Sequence, residues 1–142
     1  MLARELTRGR CLLARLDFGS DIISQILELS KEKSIQMGVF EALGALSEVE
    51  IAFYDQESHE YKSIQIDEPR ELVSCTGNIS TRDGELFVHS HVVLADSIGN
   101  TSGGHLIGGK IFAAELFILE LIGKPLIRSH DSVTDLNLWS DE

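Results

Sequence analysis

Cysteine, proline, basic charge and uninterrupted apolar sequence are all scarce in this chain of 142 residues. Two cysteines, Cys11 and Cys75, are too few for a disulfide framework or a thiolate metal site. Both stand in apolar, strand-like surroundings and read as small buried hydrophobes in a reducing compartment. With two prolines and no low-complexity tract, nothing marks a linker. Lys and Arg number 12 against 23 Asp and Glu, a formal charge of −11. That balance excludes a generally basic nucleic-acid binder, whose affinity comes from cations neutralising phosphates, and leaves room only for a local patch. The longest apolar-rich stretch, Leu106 to Ile122, contains Lys110, Glu115 and Glu120. It therefore reads as a buried segment of a soluble protein, with no membrane partner. Met1 to Arg15 holds four arginines among short apolar runs, which does not suit a signal peptide, so a cytoplasmic protein is expected.

The hydrophobic share of 43% and the charged share of 25% suit one ordinary globular domain over residues 1–142. Charge is uneven along it. Residues 41–71 hold nine acids and only Lys62 and Arg70, which reads as a solvated acidic face. Asp21 reads as a helix N-cap, and Ile22, Ile23, Ile26, Leu27 and Leu29 then lay an apolar stripe along a helix over 21–33. Strand patterns cover Leu6 to Phe18, Gln36 to Leu46, Val49 to Asp55, Tyr61 to Ile66, Glu71 to Ser80, Glu85 to Asp96 and His105 to Ile122. Asp83-Gly84 between apolar runs predicts a tight hairpin. One main helix and a largely antiparallel sheet of about seven strands make an α+β domain. The core is expected over about 5–123. Residues 124–142, with Leu136, Leu138 and Trp139, form a tail packed on the domain as an edge strand or cover.

The chemistry is concentrated in Leu86-Phe87-Val88-His89-Ser90-His91-Val92-Val93-Leu94. Alternation along a strand puts Phe87, His89, His91 and Val93 on one face, with the two imidazoles side by side. A turn-rich run, Gly99 to Gly104, then delivers His105 to the start of the next strand, within reach of the first two if the strands form a hairpin. Three neutral imidazoles on rigid strands suit a transition metal such as zinc and leave a coordination position open. Glu115 and Asp96 are the carboxylates that could orient a ligand or act as a general base. His59, in an acidic turn, and His130, in the tail, read as exposed bystanders. Gly103-Gly104 and Gly108-Gly109 lack the helix start and Lys-Ser/Thr pair of a phosphate loop and read as sites of close backbone packing. Arg8-Gly9-Arg10 lacks the proline of an AT-hook. His89-x-His91 with Asp96 imitates a cupin motif, but a cupin uses Glu there, and the helix sits awkwardly in an all-β barrel.

Taken in order, several segments resemble the plants-and-prokaryotes-conserved (PPC) domain family. They are Arg15-Leu16-Asp17-Phe18-Gly19-Ser20-Asp21, Gly44-Ala45-Leu46, Glu71 to Ile79, Asp83-Gly84, His89 to Asp96, Gly103-Gly104-His105-Leu106 and Glu115. The resemblance covers about residues 5–123. It implies an antiparallel-sheet fold assembled as a homotrimer. Stand-alone prokaryotic members are often labelled predicted DNA-binding proteins, and plant members join the domain to AT-hooks that contact DNA while this part mediates self-association and protein contacts. This chain has no hook, and it carries His89, His91 and His105 where plant members generally do not.

Two functions are therefore expected to compete. One is a homotrimeric binding or regulatory module, DNA-associated by family label, with Arg4, Arg8 and Arg10 as its basic group and a three-histidine metal site. The other is a metal-dependent enzyme or small-ligand-binding protein using His89, His91 and His105. Contact with other proteins fits the first, whereas the net charge of −11 disfavours DNA.

Overall fold

The computed structural model describes residues 1–141. In chain order it contains β1 (Thr7–Arg15), α1 (Ile22–Glu32), β2 (Gly38–Asp55), β3 (Glu60–Ile66), β4 (Arg70–Arg82), β5 (Glu85–Ala95), β6 (Thr101–Ile122), β7 (Ile127–Asp131) and β8 (Leu136–Ser140). All eight strands join one sheet, and only β7 with β4 pairs in parallel. The expected α+β, mostly antiparallel arrangement is present, with eight strands in place of about seven. Two expected strands, Gln36 to Leu46 and Val49 to Asp55, are one strand of 18 residues. Its pairing with β6 shifts register around Leu46 to Glu48, and such bulges reset the side-chain alternation, so a continuous strand reads as two. The tail supplies a further pair, β7 and β8.

Four strands close on themselves. β2 pairs with β6 from Gly38↔Glu120 to Ala52↔His105, and on its other edge with β4 from Gly38↔Ile79 to Leu46↔Arg70. β4 pairs with β5 through a two-residue turn, Asp83 and Gly84 at φ 52° and 80°, as the Asp-Gly signal predicted. β5 then pairs with the first residues of β6, from Ala95↔Thr101 to His91↔His105. The inward positions of this ring are apolar and almost fully buried: Phe40, Leu46, Cys75, Ile79, Leu94 and Ile118 are each 2% exposed or less. Burial pushes the Cys75 thiol up to about 11, so it stays protonated and acts as a hydrophobe. Cys11 does not share that role. It is exposed, because a register shift between Arg8 and Cys11 turns it outward on β1.

Helix α1 packs Ile22 and Ile26, both fully buried, into the core, a contribution of about 1.5–3 kcal/mol each. Ser30 completes that face, its hydroxyl donating to the Ile26 carbonyl at 2.7 Å. Asp21 fixes the helix at both levels. One carboxylate oxygen accepts from the Ser24 N–H at 2.8 Å as N-cap, and the other accepts from the Gly109 N–H of β6 at 2.9 Å. Asp21→Ala should therefore cost more than an ordinary cap, about 2–3 kcal/mol, because it also leaves a partly buried β6 donor without an acceptor. Urea denaturation checks this, and Asp21→Asn should recover about half of the loss.

Candidate metal centre

Alternation along β5 decides where its imidazoles go. Val88, Ser90, Val92 and Leu94 turn inward and are buried, so Phe87, His89, His91 and Val93 share the outer face. On β6, Leu106 is buried and His105 stands on that same outer side. His105 is reached differently from the loop delivery expected. The turn is confined to about 96–100, and Thr101 to Gly104 are already strand, paired with β5. Gly103 permits this, since a Cβ there would lie 2.4 Å from the Val92 carbonyl oxygen. His105 thereby becomes the direct cross-strand partner of His91.

The three rings form a compact set. Centroids lie 5.2 Å apart for His89 and His91, 5.2 Å for His89 and His105, and 5.6 Å for His91 and His105. One nitrogen from each falls within 4.8 Å of the others. Nitrogens bound to one tetrahedral ion at about 2.0–2.1 Å would stand ~3.4 Å apart, so ring rotations on the order of 1 Å close the set. Burial, helped by Arg128 and the other two imidazoles, pushes His89 down to about 4; burial, His91 and Arg128 also lower His105. Both rings are thus neutral at pH 7 and offer lone pairs. Nδ1 of His105 is buried without a hydrogen-bond partner among the described residues. The donor set, the neutrality of His89 and His105 and this orphaned nitrogen all fit a metal, so the cluster could hold one.

The His89 shift also has a consequence for stability. Between about pH 6.5 and 4 the unfolded chain takes up a proton that folded His89 refuses. Metal-free protein should therefore lose stability as pH falls through that window and regain it as pH rises. His89→Gln should flatten this slope, as read by urea midpoints at about pH 4.5 and 7.

Neither expected carboxylate stands at the cluster. Asp96 caps its own turn, accepting from the N–H groups of Ile98 at 3.0 Å and Asn100 at 2.9 Å and from the Asn100 amide at 3.0 Å. These bonds, the Asn100 side chain first, hold its carboxyl below the usual range. Glu115 is exposed ten residues farther along β6, about 30 Å of strand from His105, opposite Arg15 and Leu43. His59 and His130 are exposed, as expected.

The groups that do surround the histidines come from β3 and the tail. The Tyr61 ring lies 5.2 Å from that of His105. Arg128 on β7, 8% exposed, donates to Ser80 Oγ at 2.9 Å, Asn78 Oδ1 at 3.0 Å and the Asn137 carbonyl at 3.0 Å. A cavity of about 310 Å³ lies between His89, His105 and the β7–β8 hairpin, and a cleft of about 540 Å³, bordered by Val39, Phe117 and Trp139, opens beyond His89 and His91. The sequence offered no signal for Arg128, a single arginine in an irregular tail.

Solved structures with this fold are close. A metal-containing protein from Archaeoglobus fulgidus is 40% identical, with a TM-score of 0.96 over 99% of this chain and 100% of that one. A plant- and prokaryote-conserved protein from Pyrococcus horikoshii is 34% identical, with a TM-score of 0.94 over 100% and 99%. A supposed DNA-binding protein from Bacteroides thetaiotaomicron, 22% identical with a TM-score of 0.85 over 95% and 96%, shares the fold. Among curated proteins, the bifunctional protein GlmU of a Synechococcus strain is 33% identical over 96 residues, and that match spans 67% of this chain but only 14% of the relative. The Plants and Prokaryotes Conserved (PCC) domain model matches residues 3–122, and the chain belongs to that family.

Proposed function

We propose that the chain is a homotrimeric binding module that holds a transition metal, zinc first among the choices, on His89, His91 and His105, and uses it to bind a small ligand. The observation that carries this reading is the convergence of three imidazoles, within 4.8 Å at their nitrogens, on the outer face of two paired strands. The metal-containing relative from Archaeoglobus fulgidus supports it. Three protein ligands leave a position where a metal polarises a ligand oxygen. Binding is favoured over turnover because Glu115 and Asp96, the expected bases, are engaged or placed elsewhere. Metal analysis of untreated protein should find about one transition metal per chain, and a metal-free wild type would overturn the reading.

The assembly rests on a second feature. Leu13, Leu43, Val73 and Phe117 are 84%, 56%, 54% and 37% exposed on the outer side of β1, β2, β4 and β6. An apolar sheet face of this kind is ordinarily covered by another molecule, and further copies of the chain are the occupants proposed. Light scattering should return about three times 15.7 kDa, and Leu43→Glu should lower it.

DNA contact is the weaker reading, because two of the three arginines expected to serve it are engaged within the chain, while Arg8 is exposed. Arg10 is held by Glu120 through Nε and Nη2, both at 2.8 Å, and Arg4 is held by the Ser140 carbonyl at 3.2 Å and Asp141 at 3.3 Å. No retention on a random duplex at low salt is expected.

A further inference from the structure

We propose that the cavity of about 310 Å³ between the histidines and the β7–β8 hairpin binds small organic monocarboxylates, with Arg128 as their buried counter-ion. The site adjoins the proposed metal and adds to that reading, but its carrier is the arginine. Arg128 is charged at any working pH and is 8% exposed, yet no carboxylate lies within ion-pair distance of it among the described residues. A buried cation without a counter-ion is unfavourable in an otherwise acidic chain, so an incoming anion relieves it. Its three hydrogen bonds, to Ser80, Asn78 and Asn137, occupy three of the five guanidinium donors and fix the plane of the group. One N–H on each terminal nitrogen is left over.

The walls narrow the ligand class. Arg82 also lines the cavity, its Cζ 4.1 Å from the Phe87 ring centroid, and its nearest carboxylate, Asp83 at 3.9 Å, is 90% exposed. Asp135 also lines the cavity and lies 3.6 Å from Nε2 of His130. Apart from any metal on the histidines, two arginines against one aspartate leave a single positive charge, which one carboxylate neutralises. Tyr54, Tyr61, Phe87, Leu136 and Leu138 make most of the remaining wall, with His59 and Asn137 as its further polar members, so the body of the ligand is mainly apolar or aromatic and compact.

Benzoate, titrated calorimetrically into protein of measured metal content, tests this, with inorganic phosphate as competitor. Wild type should bind benzoate, and Arg128→Gln should weaken it about tenfold or more while keeping its metal. Arg82→Gln, on a side chain 41% exposed, should fold normally and weaken binding severalfold, so the test survives if Arg128→Gln misfolds. Metal-replete wild type that ignores millimolar benzoate would overturn the inference and leave the metal reading standing. Phosphate that displaces benzoate at lower concentration would overturn the monocarboxylate assignment. Metal-free protein that still binds benzoate through Arg128 would support this inference while removing the other.

Discussion

His105→Ala should strip the protein of the proposed metal, lowering affinity on the order of 100-fold or more. Removing a group that merely orients a ligand already costs 10–100-fold, and His105 is one of the three ligands proposed among the described residues. The loss cannot be made good nearby, because Asp96 is bound into its turn and Glu115 lies far along β6. The fold should survive the change. His105 lies on the outer face, and an alanine there opens space toward the cavity without emptying the core. Metal analysis after dialysis, with thermal melting alongside, separates the effects: metal lost with the metal-free melt preserved is the expected pair. Retention of stoichiometric metal by the variant would place the ion elsewhere.

Gly44→Val should abolish folding. Gly44 sits where β2 is clasped between β4 and β6, opposite Leu72 on one side and Ala114 on the other. Its φ is 145°, and a Cβ would lie 2.1 Å from the Ala113 carbonyl oxygen and 2.7 Å from Ala114 Cα. Both obstacles are backbone, so no side chain can rotate out of the way. Strained φ and overpacking each cost about 1–3 kcal/mol, and a clash with two ring strands adds to them. The sum approaches the roughly 5–15 kcal/mol that holds a domain together. Gly19→Ala is the control: its φ is 79° but nothing lies within 4 Å of the new Cβ, so only about 1 kcal/mol is expected. Urea midpoints compare the two, and a Gly44→Val protein that unfolds near the wild-type midpoint would contradict the ring closure.

Local features were legible because local rules wrote them. Asp21 and the Ile22, Ile26 spacing specified the helix, Asp83-Gly84 specified the hairpin, and alternation placed His89 beside His91. What stayed hidden depends on pairings distant in sequence. The bulge near Ser47 disguises one strand as two, and the Gly103-Gly104 run, legible as a site of close packing, is strand and not turn, against β5 at Gly103 and β2 at Gly104. Arg128 was invisible for the same reason: its importance lies in Ser80 and Asn78, 48 and 50 residues earlier. Glu115 and Asp96 are near the histidines in sequence alone, and the ring's geometry sends both away from them.

Among the described residues the strand pairing of the C-terminal hairpin with the ring is confined to Thr81↔Ile127 and Arg82↔Arg128, and the hairpin lies past the residues matched by the family model, 3–122. The imidazoles belong to the ring and the buried guanidinium to the appendage. Such a division lets evolution exchange one without rebuilding the other. Relatives with the same three histidines and different tails would then share an inorganic centre but differ in the molecules they admit to it, a diversity that comparison of the rings alone would miss.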